Sequence, residues 1–169
     1  MKKILGMSLL ALTVMIGTNA VEAVDADGDA RIDMVQPLSI AQTASVDFGT
    51  VAVDGAGSIA MTSDGVGTIS CTGFTSASCP ATGTDGLFTL TGKASTLVNI
   101  SSTNGTLANA DASTLTFVPA HATDVTFDAS GDATIDVGGS IALLGTETSG
   151  EFNTTITGGS AYVVTAVYP

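Results

Sequence analysis

The chain has 169 residues, enough for one domain with a proper core and too few for two of ordinary size. Sixteen Asp and Glu stand against four Lys and Arg, a formal net charge of −12, and a surface of that sign repels phosphate backbones, which argues against nucleic acid as a partner. Trp is absent and only six Phe and two Tyr are present, so Val, Ile, Leu and Phe have to fill the core.

Lys2 and Lys3 precede an apolar run from Ile4 to Ile16, and Ala20 and Ala23 follow as small residues suited to signal peptidase. This is the pattern of a secretory signal peptide over residues 1–23, cut after Ala23 or alternatively after Ala20. The run is too short and too early for a membrane anchor, and no other segment reaches the roughly 18 apolar residues that a span requires. The expected product carries no transmembrane anchor and is secreted, periplasmic in transit and then extracellular or at the cell surface. Its permanent cations are Arg31 and Lys93.

Residues 24–36 form an acidic extension. Asp25, Asp27, Asp29 and Asp33 occupy positions one, three, five and nine of a calcium-loop pattern, but Ala30 stands where the turn glycine belongs and Gln36 where the bidentate acid belongs. A flexible acidic leader is the expectation, with no metal and no cofactor. Within it, Ile32 and Met34 alternate with Arg31 and Asp33, and after Pro37 the alternation resumes with Leu38 and Ile40. Apolar side chains at period two belong to one face of a strand. Proline has no donor for a ladder, so residues 30–36 should lie at a sheet edge or in a separate pairing event. Residues 45–53, SVDFGTVAV, read as a second strand bent at Gly49.

Beyond this point short apolar or alternating runs, among them SIAMT, GLFTLTG, TLVNIS, TLTFVP, SIALLG and AYVVTAVY, recur between clusters of Gly, Ser, Thr, Asn and Asp. That rhythm marks an all-β sandwich or barrel of short antiparallel strands. Residues 63–67 and 102–113 read as loops, and residues 37–169 show no domain boundary. Cys71 and Cys79 are the whole thiol inventory. In an exported chain they should form one local disulfide, worth about 2.5 kcal/mol on the chain-entropy model; their spacing is too wide for a C-x-x-C redox pair and their number too small for zinc.

Catalysis finds little footing. His121 is the one histidine, in the turn-like VPAHATD with Asp124 three residues on, and no local motif brings a serine nucleophile to it. Glu147 and Glu151 are a carboxylate pair of a kind any acidic chain offers. No catalytic residues are assigned, and the expected protein is not an enzyme.

The stretches PLSIAQTASVDFGTV, GLFTLTGKASTLVNI, DVGGSIALLG and GEFNTTITGGSAYVVTAVY together resemble the bacterial secreted family called domain of unknown function 4402. The resemblance covers nearly all of the chain after the signal peptide; the Gly158-Gly159-Ser160 turn and the acidic leader depart from it. It implies an immunoglobulin-like sandwich and subunits similar to pilins of chaperone-usher fibres. The expected partners are then copies of the same chain, a periplasmic chaperone and an outer-membrane usher. Ile32, Met34, Leu38 and Ile40 are the expected assembly strand, joining neighbours by β-strand addition. The alternative is a monomeric secreted or cell-surface binding or matrix module of unknown ligand.

The defective calcium pattern makes a checkable statement. Calorimetric titration with calcium should show affinity no tighter than millimolar, on the order of the weakest extracellular modules. Saturable micromolar binding lost in Asp27→Ala with Asp29→Ala would overturn it.

Overall fold

The computed structural model describes residues 28–73 and 79–169. Ten strands and no helix occur among the described residues: β1 Ser39–Ala44, β2 Gly57–Met61, β3 Ile69–Thr72, β4 Gly86–Thr91, β5 Leu97–Thr103, β6 Gly105–Ala108, β7 Thr114–Ala120, β8 Asp124–Thr126, β9 Asp132–Leu143 and β10 Val163–Val167. They make two antiparallel sheets, the all-β sandwich that the alternating runs predict. The larger has seven strands, in the order β1-β4-β9-β2-β3 with β7 beside β9 and β6 beside β7; the smaller is β10-β5-β8.

The twelve-residue β9 organises the larger sheet. Its first half pairs with β4, from Asp132↔Thr91 to Val137↔Gly86. Its second half lies between β2, from Gly139↔Met61 to Leu143↔Gly57, and β7, from Gly138↔Ala120 to Ile141↔Phe117. The change of partners falls on Gly138 and Gly139. A Cβ on Gly138 would sit 2.3 Å from the Met61 carbonyl oxygen, and one on Gly139, at φ +152°, would sit 2.5 Å from the Phe117 ring. Only glycine lets the neighbouring backbone and ring approach this closely.

Inward residues recur at period two and fall into two clusters. Phe88 and Leu90 of β4, Ile135 and Val137 of β9, Val98 and Ile100 of β5, Val164 of β10 and Phe127 form one, sealed between the sheets. Ile59, Met61, Ile69, Phe117, Ile141 and Leu143 form the other, on the β2, β7 and distal β9 half of the larger sheet. The smaller sheet contributes no member to this second cluster. Val46, Phe48, Val51, Leu107, Leu115, Tyr162 and the two cysteines pack on it instead. One half of the sandwich therefore has a second sheet as its cover, and the other half is covered largely by loops.

Residues Met34–Pro169 form one compact unit. Residues 28–38 carry no strand within the single chain, and Ile32 and Met34 are each 80% exposed. Past Pro37 the situation changes. Ile40 pairs with Leu90 in the β1–β4 ladder, and Leu38 and Ile40 pack on the first cluster. Of the four residues expected in an assembly strand, these two belong to the domain's own edge. Residues 45–53 also differ from expectation. Asp47 makes one bridge to Thr84, and its Oδ1 accepts the Gly49 amide at 2.8 Å in a turn with Gly49 at φ +69°. That turn ends the pairing and sends Phe48 and Val51 over the core. Residues 102–113, expected as a loop, contain β6 and its ladder with β7.

Cys71 and Cys79 are joined, with Cα atoms 6.0 Å apart. After the bridge the chain returns along β3, where the Ile69 amide donates to the Ala81 carbonyl at 3.0 Å, so the disulfide closes a corner at the sheet edge. Alkylation of unreduced, denatured protein should label neither cysteine. Replacing both by serine should cost about 2.5 kcal/mol, measured as a lower urea midpoint.

Candidate assembly groove

The loop-covered half opens into a cleft of ≈ 1140 Å³. Its floor is core: Ile59 from β2, Ile141 and Leu143 from β9, Leu107 from β6, and Leu115 and Phe117 from β7. One wall is residues 45–53, pinned by the reciprocal Asp47 and Thr84 backbone bonds of 2.7 and 2.8 Å. A second wall is residues 147–155, and Ala161 and Tyr162 also line the cleft. Edge-to-face rings link the elements: Phe48 to Phe117 at 6.0 Å, Phe117 to Tyr162 at 5.1 Å and Tyr162 to Phe88 at 6.1 Å. Such pairs add about 0.5–1.5 kcal/mol each beyond their buried area. Burial raises the Tyr162 hydroxyl above its ordinary pKa.

Three polar side chains fix the second wall. Asn109, 2% exposed, donates through Nδ2 to Thr148 Oγ1 at 2.7 Å and accepts through Oδ1 from the Ser113 and Asp111 amides at 2.8 and 3.1 Å. The Glu147 carboxylate accepts the Leu144 and Gly145 amides. Burial alone would raise its pKa, but those amides and the amides of Glu147 and Thr146 hold it below the usual range. Asn153 exchanges backbone bonds with Ala108 at 2.9 and 3.0 Å, while its Oδ1 accepts the Thr155 and Ile156 amides. Asp47, Glu147 and Glu151 bring carboxylates to the lining, and no Lys or Arg lies among the lining residues.

The other sequence candidates are scattered. Glu147 and Glu151 are both on the groove wall, but Glu147 caps a turn and Glu151 accepts Asn153 Nδ2 at 2.9 Å. His121 lies outside the lining; its Nδ1 donates to the Ala122 carbonyl at 2.7 Å, and its Nε2 is hydrogen-bonded with Ser102 Oγ at 2.9 Å. Asp25 and Asp27 lie outside the described residues, and Asp29 and Asp33 are exposed and carry no secondary structure. Among the described residues no group of three or more His, Cys, Asp or Glu could hold a metal ion. Sequence reasoning missed Asn109 altogether. Its signal was an Asn followed by Asp111 and Ser113 in NADAS, the chemistry of a side chain that captures its own downstream amides.

Asn109→Ala should destabilise the chain by about 2–3 kcal/mol, because it strands two amides and frees Thr148. Urea unfolding measures the loss, and hydrogen exchange should quicken first in residues 147–155.

Nothing among curated proteins or solved structures matches the chain. A family model described as "Domain of unknown function (DUF4402)" matches residues 38–168, from just before β1 through β10. The chain belongs to that family.

Proposed function

We propose that this protein is a non-catalytic structural subunit of a bacterial surface fibre that supports adhesion, joined to its neighbours by β-strand addition. Residues 30–36 of one copy would lie extended in the groove of the next, with Ile32 and Met34 on its apolar floor. What carries the proposal is a pairing of opposites in one chain. A groove floored by core side chains accompanies an alternating segment whose two large apolar residues are 80% exposed. Pro37 separates that segment from β1, so it can leave the domain without disturbing the β1–β4 ladder. In strand addition main-chain bonds supply affinity and alternate side chains supply specificity. Export through the periplasm, with a chaperone to shield the groove and an outer-membrane usher to order the subunits, belongs to the same proposal.

One observation favours the alternative, a self-contained secreted module. No buried side-chain nitrogen or oxygen among the described residues lacks a hydrogen-bond partner, as expected of a domain that is complete by itself.

Burying Ile32 and Met34 contributes about 1.5–3 kcal/mol each. Ile32→Asp with Met34→Asp removes that gain and adds a desolvation penalty. The double variant should be exported yet form no ladder of heat-sensitive oligomers, whereas deleting residues 24–29 should matter much less. A wild-type chain that stays a folded monomer at high concentration would leave the secreted module in its place.

A further inference from the structure

We infer that Arg31 sets the register of the inserted segment by pairing with Glu151 on the groove rim, an inference that rests on the fibre proposal above. In an extended strand Arg31 and Asp33 face away from Ile32 and Met34. With the apolar pair on the floor, the charged pair meets the rim. The groove lining above that floor is acidic, with Asp47, Glu147 and Glu151 and no Lys or Arg among its residues. After residue 23, Arg31 and Lys93 are the only Lys or Arg in the chain, so the segment carries one of two available complements.

Among the three carboxylates, Glu151 is the one placed to receive a guanidinium. Glu147 has both oxygens held, by the Leu144 and Gly145 amides, and Asp47, although exposed, has its short side chain tied to the Gly49 amide of its own turn. Glu151 is exposed, and its Oε1 accepts Asn153 Nδ2. The Asn153 backbone is itself fixed to Ala108, which gives the rim charge a defined position on the wall.

Apolar alternation alone cannot set this register. A slip of one residue turns Arg31 onto the floor and is rejected by burial of its charge. A slip of two keeps the apolar and polar faces, moving the segment by roughly 7 Å. Charge rejects that slip in both directions, because the residues two before and two after Arg31 are Asp29 and Asp33. Either one in the place of Arg31 would set a carboxylate against Glu151. One cation flanked by acids at period two therefore selects a single register by attraction in one position and repulsion in its neighbours.

The test is a charge exchange on the chain purified after export, followed by sedimentation velocity. Arg31→Glu and Glu151→Arg should each weaken association about ten-fold at low salt, and the two together should restore it. The differences should vanish near 1 M salt, where the screening length falls to about 3 Å. If the wild type assembles and Arg31→Glu assembles equally well at low salt, or if the exchange fails to restore association, the role of Arg31 is overturned and the fibre proposal stands. If the wild type and the Ile32→Asp, Met34→Asp variant are both monomers at every salt concentration, the fibre proposal falls and the role of Arg31 falls with it.

Discussion

At Gly138 and Gly139 the Met61 and Thr62 carbonyls and the Phe117 ring come closer to β9 than any side chain would permit. Because of that approach, one strand changes partners midway and serves two half-sandwiches. The β4 side is capped by the smaller sheet, and the β2 and β7 side is left to loops. The groove follows from the mismatch between a long strand in one layer and a short layer above it. Its floor is well packed from beneath, with Ile141 and Leu143 at 5% and 6% exposure, so an occupant would meet a rigid surface and lose little to reorganisation.

The surplus of carboxylates is managed locally. Asp64 lies below its ordinary pKa because the Thr62 hydroxyl and the Val66 amide bond it, and Asp128 because the Asp132 and Ser130 amides do. Asp136 is raised, first by burial and then by the neighbouring charges of Asp85 and Asp64. The signs are opposite in consequence. A raised carboxyl destabilises the fold while ionised and is relieved as pH falls through its folded pKa; lowered carboxyls stabilise above their unfolded pKa and lose that contribution as acid protonates them. Mild acid and strong acid therefore act on this fold in different directions at different residues.

Most of the strands were legible because their signal is local. Runs such as GLFTLTG and TLVNIS alternate in sequence and bury alternate residues in β4 and β5. Cys71 and Cys79 are close in sequence and are the chain's two cysteines, so their bridge was legible from the sequence. Residues 45–53 have the same alternation without the ladder, because Asp47 captures the Gly49 amide and closes a turn. Apolar alternation shows that a face is buried; it does not distinguish burial in a sheet from burial as a lid. The four residues of β6 give too short a pattern to stand out from the polar stretch around them. The groove itself depends on which strands pair at long range, and no single segment of sequence carries that information.

With no Trp in the chain, near-ultraviolet absorption and emission come chiefly from Tyr162 and Tyr168. Tyr162 lines the groove in contact with Phe117 and Phe88. Tyr168 lies with its ring tilted against Phe127, accepts the Lys93 amide at 2.8 Å and donates to the Gln36 carbonyl at 3.1 Å, where the extension leaves the sandwich. One chromophore thus stands in the groove and the other at the root of the segment proposed to fill it. The unlabelled protein carries its own optical reporters at both ends of the proposed joint.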